Sequence, residues 1–222
     1  MKYIRKTSDP KHFTEWKAQA NKDWRPRYGN MLGDIKDPLK QALLNEQGWI
    51  CCYCERRIEN MDDAHVEHFI PQHLCSSAAL AYENMLCSCQ EALEEDETRQ
   101  REPLHCGHLK GGDFPEGLVS PQDPTCERRF RYTHNGQILP ASEADIGVDA
   151  TIACLGLNID RLQALRRSAV EPFLDPLLKP PLTLDELQGF VRSYLARGSD
   201  GRYESFWTTI AYLFPLEETA LS

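Results

Sequence analysis

Four stretches decide how this chain folds: Cys51-Cys52-Tyr53-Cys54, His65-Val66-Glu67-His68-Phe69-Ile70-Pro71, Asn84-Met85-Leu86-Cys87-Ser88-Cys89, and His105-Cys106-Gly107-His108-Leu109-Lys110-Gly111. The Cys51-x-x-Cys54 spacing puts two thiolates on one side of a tight knuckle, within reach of one tetrahedral ion. Cys87, Cys89 and Cys106 supply a second set downstream. A four-cysteine site built from Cys51, Cys54, Cys89 and Cys106 would staple the block, with Cys52 and Cys87 as substitute ligands. The bland alternative is that these thiols are buried small hydrophobes, but separated pairs rarely arise from packing alone. Cys75, Cys126 and Cys154 have no partner at metal spacing. Nine cysteines is an odd count, and the charged start Met1-Lys2-Tyr3-Ile4-Arg5-Lys6 is no secretory signal, so metal binding is a better use for them than disulfides.

Working outward, composition narrows the choices. The chain has 222 residues, 41% of them hydrophobic. That supports a packed core and excludes an intrinsically disordered protein. No apolar run is long enough for a membrane helix, so a cytoplasmic protein is expected, with no membrane partner. The formal net charge is −9. An acidic chain cannot hold nucleic acid by its average field; it would need a local basic patch, a metal ion or a partner.

Periodicity predicts a helix over 11–24, from Phe13, Trp16, Ala20 and Trp24, and another over 34–47, from Ile35, Leu39, Leu43 and Leu44, ended by Gly48. Alternation over 65–70 predicts a strand stopped by Pro71. The acidic stretch Glu91–Glu102 reads as a solvated helix or insertion. Asn135-Gly136 predicts a hairpin turn within 130–139. Helices follow at about 146–156, 158–170, 183–197 and 202–214, with Asn158 and Thr183 as N-caps and Pro176, Pro180 and Pro181 separating two of them. The expected class is α+β, predominantly helical. It divides into an N-terminal helical segment (1–47), a central Cys/His block (48–115), and a hairpin with C-terminal helices (116–222).

The order within the block resembles the HNH endonucleases: an acid and His before a hydrophobic pair and Pro, then Asn, then Cys with a His and Lys-Gly. Cys89 follows Asn84 by five residues and Lys110 follows Cys106 by four, as in that pattern. The chain departs from it in splitting the second knuckle with the stretch between Cys89 and Cys106, and in placing His108 two residues after Cys106 instead of one. The resemblance implies a ββα-metal (His-Me finger) core beside a structural Zn2+ held by the four cysteines. It implies His68 as general base, Glu67 and His108 as ligands of a catalytic Mg2+ or similar divalent cation, and Asn84 fixing the loop that orients His68. The chemistry is coherent, since phosphodiester hydrolysis needs an activated water and charge neutralisation, and a divalent ion offsets an acidic chain.

A narrower likeness rests on Cys51–Ile58, Glu67–Pro71, Cys106–Gly111 and Thr151–Asn158 followed by Leu162 and Arg166. These are similar to the HNH subunits of retron and Septu anti-phage systems. That implies an effector nuclease, DNA favoured as substrate, working with an ATPase subunit and, in a retron, with a reverse transcriptase and its msDNA. Two other readings compete: a ribonuclease acting on structured RNA such as tRNA with the same residues, and a zinc-stapled protein-binding subunit with little or no catalysis of its own, which has no need for Glu67, His68, Asn84 and His108 to converge.

The candidate substrate contacts are His65, Lys110, Arg128, Arg129 and Arg131, with Tyr132 available to stack on a base. His65 shares a strand face with Glu67 and could assist the metal instead. His73 and His105 are weaker candidates, and His12 and His134 read as surface residues. Arg56, Arg57, Arg161, Arg166 and Arg167 form further basic clusters, read either as substrate contacts or as ordinary surface charge; Arg161, Arg166 and Arg167 could equally form salt bridges to a partner. The aromatic C-terminal helices are expected to be mostly core.

Overall fold

The computed structural model describes residues 1–89, 103–174 and 182–216. The acidic stretch 91–102 and the prolines at 176, 180 and 181 lie outside the described residues.

The first helix, α1 (Lys11–Lys17), is shorter than the aromatic spacing predicts. Asn21 is the reason. Its Oδ1 accepts from the backbone of Asp23 and Trp24, and its own N–H bonds the Trp24 carbonyl, an Asx turn that competes with helix. The chain doubles back, and Trp24 still meets Trp16 edge-on at 5.9 Å. Helix α2 (Gly33–Gln47) follows, with Leu39, Leu43 and Leu44 buried and Gly48 closing it at φ 65, a conformation that needs no Cβ.

The buried amide of Gln47 reaches past the end of α2. It donates to the Ile50 and Cys87 carbonyls and accepts from Cys87 N–H at 2.7 Å. Those bonds hold α2 against a two-stranded antiparallel sheet of β1 (Ala64–His68) and β2 (Met85–Cys89), in which His65 faces Ser88 and Glu67 faces Leu86. A five-residue helix, α3 (Cys106–Lys110), packs on β2. Cys106 sits at φ 54, a left-handed conformation unusual for a non-glycine residue, and its N–H is held by the Leu155 carbonyl at 2.8 Å.

Helix α4 (Cys126–Arg129) leads into a second sheet of β3 (Phe130–Tyr132) and β4 (Ile138–Pro140). Only Gly136 in the hairpin has positive φ, at 87; Thr133 and Gln137 still pair. The turn is therefore longer than the two-residue loop that Asn-Gly suggests. Four helices follow among the described residues: α5 (Ile146–Cys154), α6 (Asp160–Leu174), α7 (Leu184–Leu195) and α8 (Trp207–Leu213). Thr183 caps α7 in a reciprocal box with Glu186. Asn158, expected as an N-cap, instead pins the hairpin: it accepts from Ile138 N–H and donates to the Ile138 carbonyl. Helix α8 begins at 207, not 202, because Phe206 takes a left-handed conformation at φ 58.

One buried cluster runs from Met1 to Leu162. A second, smaller one joins Val170, Phe173, Val191 and Ile210 of the last helices. Phe206 is buried, whereas Phe190 and Tyr212 stay exposed. Among the described residues, no helix is long and apolar enough to cross a membrane.

Candidate functional site

The sulfurs of Cys51, Cys54, Cys89 and Cys106 lie within 4.8 Å of one another, and all four residues are buried. Three elements deliver them: the knuckle turn at 51–54, the end of β2, and the first residue of α3. The Cys89 N–H points at the Cys51 sulfur, 3.3 Å away, and the Ser88 hydroxyl braces the Gly107 N–H at 3.0 Å. Burial opposes ionisation of Cys51, but hydrogen bonds from its neighbouring thiols outweigh it and pull that thiol well below its ordinary value, while burial pushes Cys106 well above. Four soft donors closed around one point fit a tetrahedral metal ion such as zinc. Cys52 and Cys87 are buried outside this group, Cys87 with its sulfur toward the Lys40 carbonyl. His105 also approaches the cluster, its Nε2 3.5 Å from the Cys89 sulfur.

On the β1–β2 hairpin, Glu67 and His68 are neighbours in sequence, and their side chains are held by different partners. Both are buried. Glu67 Oε1 receives the Tyr53 hydroxyl at 3.0 Å and the Lys110 ammonium at 2.8 Å. Oε2 faces His65 Nε2 at 3.4 Å, and the His65 ring lies 4.6 Å from that of His108. Burial opposes ionisation of Glu67, yet the His65 hydrogen bond and the Lys110 charge prevail and hold its carboxyl below the usual range. Gly107 is packed hard against this group: a Cβ there would stand 2.4 Å from His65 Nε2 and 2.6 Å from Glu67 Oε2.

Lys110 is thus no surface contact for a substrate. It is about 1% exposed, and its ammonium serves Glu67 and the His68 carbonyl, 3.1 Å away. Among the described residues, the four cysteines are the only group of three or more His, Cys, Asp or Glu ligand atoms drawn so close together. Glu67, His65 and His108 form a looser set beside them.

His68 is fixed by contacts the sequence did not announce. Its Nε2 meets the Ala79 carbonyl at 3.0 Å, and Gln72 Nε2 meets its Nδ1 at 3.3 Å. The carbonyl can only accept, so Nε2 carries the proton and Nδ1 the lone pair. The Tyr28 ring stands edge-on to the imidazole at 4.6 Å. Burial holds the His68 pKa below its ordinary value. Asn84 brackets the intervening loop, accepting from Ile70 N–H and donating to the Ile70 and Ala78 carbonyls. Gln72 is four residues past His68, a spacing that could have suggested it. Tyr28 belongs to a remote segment, and nothing in the sequence pointed there.

The other candidate contacts divide. Arg129 is locked to Asp145 through two hydrogen bonds, at 2.9 and 2.7 Å, Arg131 donates to the Pro140 carbonyl, and Arg128 is exposed. Tyr132 cannot stack on a base, because it is buried with its hydroxyl on Thr208. Arg57 pairs with Glu59, Asp200 and Glu204. Arg166 is buried and donates to the Gly136 and Leu157 carbonyls, which removes it from any partner surface. His134 is exposed, as a surface residue should be, and His12 is half-buried. A cavity of about 290 Å³, lined by Arg5, Gln47, Cys52 and Tyr203 among others, includes none of Glu67, His68 and His108 in its walls.

No family model matches the chain. A curated Escherichia coli protein, "Retron Ec83 putative HNH endonuclease", is 27% identical to it over 207 residues, covering 78% of this chain and 80% of the relative. This likeness supports an HNH family and nuclease chemistry for a mixed fold with a small sheet and a four-cysteine cluster that could hold a metal.

Proposed function

We propose that this protein is an HNH-type endonuclease that hydrolyses phosphodiester bonds, with DNA as the favoured substrate. The observation that carries the reading is His68: a buried imidazole with its proton held on Nε2 by the Ala79 carbonyl and its lone pair on Nδ1, next in sequence to an ionised Glu67. In this reading β1, β2 and α3 are the ββα-metal core, and Cys51, Cys54, Cys89 and Cys106 hold a structural Zn2+.

His68 Nδ1 takes the proton of the attacking water. A depressed pKa keeps the imidazole neutral, and so able to accept, at pH 7. Gln72 holds the ring through that lone pair, and the attacking water displaces its N–H before Nδ1 takes the proton. Glu67 and His108, with His65 beside them, would hold a divalent cation of the Mg2+ class. The donor types suit such an ion: the Glu67 carboxylate is ionised, with Oε2 toward His65, and a glycine at 107 leaves the room that a Cβ would fill. When bound, that ion supplies charge neutralisation at the scissile phosphate and leaving oxygen. Asn84 keeps the loop carrying Ala79 in place, and Lys110 holds the far oxygen of Glu67.

The retron name of the Escherichia coli relative and the narrower sequence likeness support a finer reading, in which the chain is the effector subunit of an anti-phage defence system. There it would act beside an ATPase subunit and, in a retron, the reverse transcriptase with its msDNA. The test is direct. Purified protein, alone and with the product of a neighbouring gene, is incubated with plasmid and with total RNA plus Mg2+. Cleavage should fall about 10²–10⁴-fold in His68→Ala, with circular dichroism and metal content unchanged. Retained cleavage in His68→Ala would remove it as the base; cleavage of RNA alone would move the substrate from DNA to RNA.

A further inference from the structure

Arg25 and Arg27 flank Pro26 on the segment that brings Tyr28 against His68. Both side chains are exposed, and neither has a hydrogen-bond or ion-pair partner among the described residues. Lys22 is exposed in the same way. Lys36 joins them from α2, its ammonium 5.6 Å from the centre of the Tyr28 ring. This contrasts with Arg57, Arg129, Arg166 and Lys110, whose charges are spent within the fold.

The segment is stiff. Pro26 fixes its own φ and keeps Arg25 out of helix. Asn30 donates to the Arg25 carbonyl at 3.2 Å and accepts from Arg27 N–H at 2.8 Å. Arg27 is extended, at φ −141 and ψ 150, and buried Met31 anchors the next turn. Three acids share the stretch. Asp34 lies in the first turn of α2, where the helix amides offset its charge; Asp37 and Asp23 are exposed.

We infer that Arg25 and Arg27, supported by Lys22 and Lys36, grip the phosphodiester backbone of a nucleic-acid strand and present it to His68 through the Tyr28 contact; the inference rests on the nuclease reading. A chain of net charge −9 repels a polyanion on average, so binding needs local cations that no carboxylate neutralises. Guanidinium groups suit phosphate through paired N–H donors, and a pre-ordered turn loses less entropy on binding than a floppy one.

The test measures binding of labelled single-stranded and duplex DNA and RNA by fluorescence anisotropy across a salt series. It uses the full chain in a His68→Ala background, so that cleavage does not interfere. Arg25→Ala/Arg27→Ala should weaken binding and flatten the slope of log K against log salt by about 1.4 for single strands or about 1.8 for duplex DNA, the change expected for two lost phosphate contacts. Arg25→Lys/Arg27→Lys should keep that slope, which a merely structural role would not require. An unchanged affinity and slope in the folded double-alanine variant would overturn the inference. If the protein without the His68 change binds in a salt-dependent way but cuts nothing, the nuclease reading falls and the phosphate grip stands. If it cuts and the double variant leaves KM unchanged, the grip falls and the nuclease reading stands.

Discussion

The block around the cysteines and the helices at the C-terminus hold themselves together by opposite means. In the first, the elements are too short to stand on area alone: β1 and β2 have five residues each, as does α3, and isolated two-stranded sheets and single-turn helices are marginal in water. Their interior is rich in polar groups, with four thiols, Glu67, His68, Asn84 and Lys110 all buried. In the second, helices of 15, 12 and 7 residues close over Val170, Phe173, Val191 and Ile210. A region that must present reactive groups cannot also be filled with leucine, so it relies on directional contacts. A region that only has to pack can use apolar surface.

Three substitutions break or sharpen that contrast. Cys54→Ser is expected to have the largest effect. If the thiol cluster holds zinc, metal-binding free energy is folding free energy, on the order of 10–16 kcal/mol for structural sites. The variant should lose stoichiometric metal by elemental analysis and lose its thermal transition; a well-folded, metal-replete variant would separate the cluster from the fold. Lys110→Met comes next. It strands the Glu67 carboxylate and the His68 carbonyl without their buried cation, at a cost of about 3–5 kcal/mol in urea unfolding. Wild-type stability would show that water or a neighbour replaces the ammonium. The third, Ile210→Ala, acts in the apolar region alone and should cost about 2–5 kcal/mol, with metal content unchanged. Loss of metal from it would mean the two regions are not held independently.

What could be read from the sequence follows the same division. Helix α2 was legible because three leucines repeat on one face and a glycine closes it. Cys51 and Cys54 were legible because metal spacing is a short-range code; Cys89 and Cys106, separated by a long insertion, were legible only as a second set downstream. The residues around His68 were less so: Gln72 and Ala79 act through a loop whose path Asn84 sets, and Tyr28 arrives from another part of the chain. The predicted helix over 11–24 failed because one Asn side chain outbid the aromatic period, and Asn158 was misplaced because the hairpin offered its amide better partners than a helix end. Charges misled most. Arg129, Arg166 and Lys110 look alike in sequence to Arg25 and Arg27, and only the fold reveals which are already neutralised.

Glu55 sits directly after the knuckle cysteine, at φ 64, and is almost wholly buried. Its carboxylate accepts from the Thr208 N–H at 2.8 Å, its carbonyl from the Phe206 N–H at 2.9 Å, and the Met1 amino group lies 2.9 Å from it. The opening turn of the last helix is therefore bolted to the sulfur-bearing loop through a single carboxylate and the peptide that carries it. Traction on that helix is transmitted to the knuckle, and slackening of the knuckle releases the helix: the two are mechanically one part, although some 150 residues of chain separate them.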